Sequence, residues 1–221
     1  TTLSIVLHSS IAVIIALLIL ALPATADFIL NPQQHQTGAF IMARTNRRDV
    51  LADQDIQVVT VIGFPFGFED TATKVAETKE AIKNGADELD LVWSQTAFHS
   101  GMSWPKIEIA QIAKLCHEEE RILKVIIETA YLNSDQIREA CLICQDAGAD
   151  YVKTSTGYAP TGAKVEDIAL MREVLPSAIG IKASGGIKTL EFAMDLIKAG
   201  ADRIGTSSAK ALMDAWRKAN L

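Results

Sequence analysis

Five charged side chains lie inside sequence runs that are otherwise apolar. They are Asp90 in ELDLV, Lys124 and Glu128 in LKVIIET, Lys153 in YVKTSTG and Lys182 in GIKASGG. Strands of a parallel sheet are covered on both faces and normally read as apolar throughout, so a charge there needs a partner or a function. In a closed barrel, alternate side chains point inward, and those near the carboxyl ends of the strands line the active site. The five side chains are therefore candidates for one active site.

Two lysines on consecutive strands indicate a specific chemistry. Lys153 and Lys182 would lie on strands whose backbones are about 5 Å apart. Partial burial and a second ammonium both favour the neutral, nucleophilic form of a lysine, which is otherwise almost wholly protonated at neutral pH. One lysine then attacks a carbonyl, and the iminium that results accepts the electrons of a breaking carbon–carbon bond. Asp90 on a nearby strand could carry a proton to and from the enamine carbon.

A structural interpretation competes with this one. The lysines could extend from strand ends into solvent, or they could pair with Asp90 and Glu128 in a charge network without catalytic function. For a single lysine we would prefer that explanation. Three lysines and two carboxylates at strand positions favour an active site.

Glycine and serine follow the last two predicted strands. Gly185 and Gly186 come directly after the Lys182 strand, and Gly205, Ser207 and Ser208 come after the final strand. In barrel enzymes these two loops bind phosphate through backbone N–H groups and a helix N-terminus. A single Gly-Gly pair would indicate only a turn. The pair together with a Gly-x-Ser-Ser on the adjacent strand predicts a phosphate site.

The elements that must position these residues alternate regularly from Ile56 to the end of the chain. Six short β-rich runs are separated by helical stretches, which is typical of parallel β-α-β units. Gly-Ala-Asp recurs at Gly85, Gly148 and Gly200, each time after a helix and before a strand. We predict an α/β fold, a single-domain (β/α)₈ TIM barrel over residues 1–221. An open doubly wound sheet is disfavoured because no glycine-rich phosphate loop follows the first strand.

Residues 1–55 must supply two further strands if the barrel closes. LSIVLHS and GAFIMAR are the candidates, with the apolar run Ile11–Leu22 as the helix between them. The run ends in Pro23-Ala24-Thr25-Ala26 and so resembles a signal peptide, but no Lys or Arg precedes it. It is also short for a membrane span, which needs about 20 residues. We favour a buried structural segment, with a targeting segment and a damaged or foreign sequence as the alternatives.

Composition excludes several functional classes. The formal net charge of −6 and the absence of a basic run disfavour a nucleic-acid partner, and we expect no membrane partner. Three cysteines cannot form a disulfide framework and fit a reducing, cytoplasmic location. Cys141 and Cys144 form a C-x-x-C, but within a helical pattern they are expected to be small core residues. The four histidines, at positions 8, 35, 99 and 117, show no metal-ligand spacing, so we predict neither a metal nor another cofactor.

Six motifs, in this order and spacing, resemble the class I deoxyribose-phosphate aldolase family. They lie between about Val58 and Ser208, and they are VIGFPFG, NGADELDLV, LKVIIET, AGADYVKTSTG, GIKASGGIKT and RIGTSS. The resemblance implies reversible cleavage of 2-deoxy-D-ribose 5-phosphate to D-glyceraldehyde 3-phosphate and acetaldehyde, without a cofactor, and leaves room for a homodimer. It implies Lys153 as the Schiff-base lysine, Lys182 as the neighbour that favours its neutral form, Asp90 as proton carrier and Lys124 in the surrounding charge network. The phosphate ligands would be Gly157, Gly185, Gly186, Gly205, Ser207 and Ser208.

The sequence departs from the family pattern mainly at its front. Leu7-His8-Ser9 stands where the family has Asp-His-Thr, Asn31-Pro32 lies early for the second strand, and Tyr158 follows KTSTG where some members have a lysine. Residues 1–55 therefore count as divergent. Three alternatives stay open: another phosphate-binding barrel aldolase or isomerase, a catalytically inactive phospho-ligand binder, and a zinc-dependent aldolase, which the few histidines disfavour.

Overall fold

The computed structural model of the chain describes residues 2–7, 29–30, 39–42 and 56–219. The strands are β1 (Thr2–Leu7), β2 (Ile29–Leu30), β3 (Ala39–Met42), β4 (Ile56–Ile62), β5 (Glu88–Val92), β6 (Ile122–Ile126), β7 (Tyr151–Lys153), β8 (Gly180–Ser184) and β9 (Arg203–Gly205). The helices are α1 (Thr71–Lys83), α2 (Gln95–His99), α3 (Trp104–Glu118), α4 (Ser134–Asp146), α5 (Val165–Val174), α6 (Leu190–Lys198) and α7 (Ala209–Ala219).

Strands β4 to β9 form a parallel sheet in sequence order, with helices in the connections. The six strands predicted from Ile56 onward are confirmed. The short helix α2 was not predicted, because five residues are too few to show a helical period. The register aligns Asp90 with Lys124 across β5 and β6, and Lys153 with Lys182 across β7 and β8.

The two faces of this sheet differ in chemistry. Leu89, Val125 and Ile181 belong to a core that includes Ile112 of α3 and Ile168 of α5. Because side chains alternate along a strand, the neighbouring positions point to the opposite face. That face carries the buried charges of the sheet, which are Glu88, Asp90, Lys124, Lys153, Lys182 and Arg203. The sequence thus builds an ordinary apolar layer under the helices and a charged interior on the other side.

Three Gly-Ala-Asp turns hold the amino-terminal ends of the strands. Their glycines have left-handed φ angles of 85°, 85° and 116°, as the sequence predicts for residues that end a helix. The aspartate of each turn accepts a hydrogen bond from a backbone N–H of the neighbouring strand: Asp87 from Val58 (2.8 Å), Asp150 from Leu123 (2.7 Å) and Asp202 from Ile181 (2.7 Å). The repeat therefore sets the strand register and keeps the charged positions aligned.

The first three strands extend the sheet in a different way. Strand β1 pairs in parallel with β2 but antiparallel with β3, and β3 pairs in parallel with β4. The predicted strand GAFIMAR contains β3 and LSIVLHS overlaps β1, but the antiparallel pairing of β1 with β3 departs from an all-parallel barrel. An apolar strand pattern gives no strand direction, and an antiparallel pair needs no crossover helix. The proposed helix Ile11–Leu22 and the targeting alternative lie outside the described residues.

The three cysteines are buried and free, as the core interpretation of the C-x-x-C predicts. Cys141 and Cys144 lie on the buried side of α4, and Cys116 lies on α3. Burial raises the pKa of the Cys116 and Cys141 thiols to about 12. Within the part of the chain that the structure describes, no helix is long and apolar enough to cross a bilayer.

Candidate active site

Three lysines converge on one buried carboxylate. Lys153 and Lys182 donate to Oδ2 of Asp90 at 2.8 Å and 3.0 Å, and Lys124 donates to Oδ1 at 2.7 Å. The four residues come from β5, β6, β7 and β8, so the parallel register alone brings them together. All are almost completely inaccessible to solvent. The structure thus places the four predicted catalytic residues in one contact network.

A second buried carboxylate supports the first. Glu88 lies two residues before Asp90 and contacts Nζ of Lys124 at 2.6 Å. It also accepts two hydrogen bonds from Arg203 at 3.0 Å and 2.8 Å, and the guanidinium of Arg203 lies 4.3 Å from the ring centre of Tyr151. Lys124 therefore bridges the two carboxylates. Sequence reasoning missed Glu88 and Arg203, although the two-residue spacing from Asp90 places Glu88 on the same face.

The cluster contains more positive than negative charge. Its cations are Lys124, Lys153, Lys182 and Arg203, and its carboxylates are Glu88 and Asp90. Burial alone would raise the pKa of Asp90, but the three ammonium groups outweigh burial and hold that pKa well below its ordinary value. Burial likewise opposes ionisation of Glu88, yet Lys124 and Arg203 lower its pKa. Both carboxylates are therefore ionised at neutral pH.

Glu128 lies in the loop after β6, beside the site. Its carboxylate oxygen Oε2 accepts hydrogen bonds from the backbone N–H of Thr156, at 3.0 Å, and from the Thr156 hydroxyl. Burial raises its pKa, and the Thr156 donors and the charge of Lys153 only partly oppose that effect. The loop that follows Lys153 is thus tied to the end of the neighbouring strand.

The predicted phosphate residues gather at the carboxyl ends of β7, β8 and β9. Gly157, Gly185 and Gly186 have left-handed φ angles of 94°, 87° and 74°. Gly205 pairs with Ser184 at the ends of β8 and β9, and Ser207 and Ser208 directly precede α7. The backbone N–H of Ser208 donates to the Thr206 hydroxyl at 2.9 Å. The predicted phosphate residues therefore lie at the same end of the sheet as Lys153 and at the amino end of a helix.

Aromatic side chains stand beside the loop after β7. The rings of Phe64, in the loop after β4, and Tyr158 meet edge to face with centres 5.4 Å apart. Tyr158 is largely exposed, and its backbone N–H donates to the Thr156 hydroxyl at 3.1 Å. Tyr158, which stands where some family members have a lysine, thus connects the loops after β4 and β7. No pattern in the sequence indicated this contact, because Phe64 and Tyr158 lie far apart in the chain.

This arrangement suits covalent chemistry on a carbonyl group. A buried lysine beside a second ammonium can act as a nucleophile, and a shared carboxylate can pass protons between the groups. Among the residues that the structure describes, no cluster of His, Cys, Asp or Glu could hold a metal ion.

The fold and the site define a class I aldolase, a lyase that cleaves a carbon–carbon bond. A sequence model described as DeoC/LacD family aldolase matches residues 13–215, and the chain belongs to this family. The chain is 45% identical over 175 residues to the deoxyribose-phosphate aldolase of Caldanaerobacter subterraneus subsp. tengcongensis. This match covers 78% of this chain and 76% of the relative. It is 49% identical over 168 residues to that of Caldicellulosiruptor saccharolyticus, covering 75% and 76%. A tetrameric deoxyribose phosphate aldolase from Aeropyrum pernix superposes with a TM-score of 0.71 at 30% identity, covering 77% and 72%.

Proposed function

We propose that this chain cleaves 2-deoxy-D-ribose 5-phosphate reversibly to D-glyceraldehyde 3-phosphate and acetaldehyde. The observation that carries the proposal is the lysine pair, because Lys153 and Lys182 share one oxygen of Asp90. The identity of the substrate is inferred from the deoxyribose-phosphate aldolases that the chain resembles.

Lys153 forms the covalent intermediate in this reaction. Its Nζ adds to C1 of the open-chain sugar, and loss of water gives an iminium. The C2–C3 bond then breaks, its electron pair moves toward the iminium to form an enamine, and the C3 hydroxyl loses its proton as it becomes an aldehyde. Protonation of the enamine carbon and hydrolysis of the iminium release acetaldehyde and free Lys153.

The neighbours of Lys153 have separate roles. Lys182 places a second positive charge beside Lys153 on the same oxygen of Asp90, where it would assist the nucleophile. Asp90 carries the proton to and from the enamine carbon, since it already contacts both lysines. Lys124 holds Asp90 and Glu88 in place from the other side.

The phosphate group would lie against the loops after β7, β8 and β9. Its proposed ligands are Gly157, Gly185, Gly186, Gly205, Ser207 and Ser208. Left-handed glycines leave their backbone N–H groups open to an anion, and the amino end of α7 adds a favourable dipole.

The proposal extends to the architecture. We infer that the sheet closes into a TIM-type barrel around the parallel strands β4 to β9, formed as one domain and supported by the approach of β2 to β9 at the opposite end of the strand order. We also propose that the protein forms a homo-oligomer, such as a dimer. We propose a cytoplasmic location, which the three unpaired thiols support.

One experiment tests the function. The purified protein is assayed for acetaldehyde release from 2-deoxy-D-ribose 5-phosphate, and is then reduced with borohydride in the presence of acetaldehyde. We expect activity and a mass increase on Lys153, both lost in Lys153→Ala and both retained in Lys83→Ala, which removes an exposed lysine far along α1. Trapping without cleavage of this sugar would indicate another lysine aldolase. The absence of both would indicate an isomerase or an inactive binder.

A chelation arm separates the lysine route from a metal route. The iminium accepts the electrons that a metal ion would otherwise stabilise, so we expect activity to persist in EDTA. Loss of activity in EDTA, together with activity of Lys153→Ala, would overturn the Schiff-base proposal.

A further inference from the structure

Glu128 has a backbone conformation that side chains rarely adopt. Its φ and ψ angles are 51° and 71°, in the left-handed region that favours glycine. Glu120 has a similar φ of 54°, but it is an exposed residue in the turn before β6. Glu128, in contrast, is only 4% exposed. A glycine would avoid the strain, so the carboxyl group itself accounts for a glutamate at this position.

The carboxyl group of Glu128 is only half satisfied. Both Thr156 donors bind Oε2, whereas Oε1 is buried and accepts no hydrogen bond from any residue that the structure describes. Buried polar atoms almost always have a partner. In the lysine cluster, both oxygens of Asp90 are occupied by ammonium groups. Glu128 therefore has an acceptor available that Asp90 lacks.

The surroundings of Glu128 place this acceptor beside the reaction. The backbone of Ile127 donates to the carbonyl of Lys153 at 3.0 Å, and that of Thr129 donates to the carbonyl of Thr154 at 2.9 Å. These bonds hold the backbone on both sides of Glu128 against the strand of Lys153, and the Glu128 carboxyl binds Thr156, the residue before Gly157, within the influence of the Lys153 charge. The fully buried hydroxyl of Ser155 has no partner among the described residues either. Two unpaired polar atoms, one in each of the neighbouring loops after β6 and β7, point to a polar ligand.

We propose that Oε1 of Glu128 accepts a hydrogen bond from the C4 hydroxyl of the sugar, with Thr156 holding the carboxyl in place through Oε2. This inference rests on the proposed function. C1 is bound to Lys153 and the phosphate lies near Gly157, so a group between them faces the middle of the sugar. The C3 hydroxyl becomes the product aldehyde, which leaves the C4 hydroxyl as the lasting donor. In the synthetic direction it is the 2-hydroxyl of D-glyceraldehyde 3-phosphate.

The test compares two acceptor aldehydes with acetaldehyde as the donor. One is D-glyceraldehyde 3-phosphate, and the other is 3-oxopropyl phosphate, which lacks only that hydroxyl. A hydrogen bond to a charged group contributes enough to give a preference of about ten-fold or more in kcat/KM for the hydroxylated aldehyde. We expect Glu128→Gln to reduce this preference at least several-fold, because its single carbonyl oxygen stays with Thr156. The matched control Glu120→Gln should keep the preference of the wild-type protein.

Several outcomes would overturn the inference. If the wild-type protein uses both aldehydes with equal kcat/KM, the inference is excluded, even if every variant fails to fold. An equal loss on both aldehydes in Glu128→Gln would show that Glu128 only supports the loop. Glu128→Asp, which keeps the charge but withdraws it by one methylene, should also reduce the preference. Borohydride trapping on Lys153 is measured in parallel, so that a failed preference with intact trapping contradicts this inference and leaves the proposed function standing.

Discussion

Lys153 and Lys182 face each other across β7 and β8, and both donate to the same oxygen of Asp90, at 2.8 Å and 3.0 Å. Two side-chain amino groups that donate to one oxygen atom must lie close to each other, so Lys182 brings a positive charge next to Lys153. The shared oxygen also gives a proton a route between the two groups. This geometry supports the proposal that Lys153 is the nucleophile and Lys182 the group that activates it.

Removing the neighbouring charge should therefore slow the reaction. We expect Lys182→Met to lower kcat for retro-aldol cleavage by about 100-fold or more, within the range of acid–base assistance in enzymes. Lys182→Arg, which keeps a cation, should lose less. Initial rates and the rate of borohydride trapping on Lys153 measure the effect. Equal rates in Lys182→Met and the wild-type protein would contradict the role of Lys182.

Asp90 should matter for stability as well as for activity. Asp90→Asn removes the carboxylate that three buried ammonium groups share, although Lys124 keeps its contact with Glu88. Breaking a buried ion pair costs about 3–5 kcal/mol. The free energy of unfolding from urea titration gives the value. Asp146→Asn is the control, since the Lys106–Asp146 pair has a similar distance of 2.9 Å but is solvent-exposed. That variant should lose at most about 1 kcal/mol.

The stabilising effect of Asp90 should depend on pH in one direction. Its pKa in the folded protein lies well below the ordinary value, because the ammonium groups outweigh burial. A carboxyl with a depressed folded-state pKa stabilises fully above its unfolded pKa, which is about 3.9, and loses that effect as the pH falls through the folded value. The stability difference between wild type and Asp90→Asn should stay constant from about pH 8 to pH 5 and shrink only below about pH 4. A decline that begins near neutral pH would contradict the ion-pair assignment.

The buried thiols should be inert in the folded protein. Burial raises the pKa of Cys116 and Cys141 to about 12 and that of Cys144 well above its ordinary value. Because the thiolate is the reactive form, iodoacetamide should modify none of the three cysteines in native protein and all three in denaturant, as counted by mass spectrometry. Rapid native labelling of Cys141 and Cys144 would instead indicate a redox role for the C-x-x-C.

The charged positions of the site could be predicted because they interrupt buried strands. Lys153, Lys182, Asp90 and Lys124 each stand out against apolar neighbours, and the period of two residues places them on one face. Glu88 follows the same rule but was missed. Its partner Arg203 lies 115 residues away, and only the sheet brings the two together. Long-range pairs of this kind depend on strand order, which the local pattern does not contain.

Loop geometry and strand direction could not be predicted from the sequence pattern. The role of Glu128 depends on a left-handed φ of 51° and on the Thr156 donors, and both arise only when two loops fold against each other. The contact between Phe64 and Tyr158 likewise joins loops after β4 and β7. At the front, apolar residues predicted strands near Thr2–Leu7 and Ala39–Met42, but an apolar pattern does not contain the direction in which two strands pair.

A negative charge at Gly186 should test the proposed phosphate site. Gly186 has a φ of 74°, and a Cβ atom added there would meet nothing within 4 Å. Asp and Asn tolerate this backbone region better than other residues, so both can be introduced with little strain. Like charges about 4 Å apart repel by roughly 1 kcal/mol in water and more in a partly buried site, which predicts a rise in KM of about ten-fold for Gly186→Asp with phosphorylated substrate. The neutral Gly186→Asn should change KM much less, and unphosphorylated D-glyceraldehyde should react equally with both variants. Equal KM values for the two variants with the phosphorylated substrate would place the phosphate away from the loop after β8.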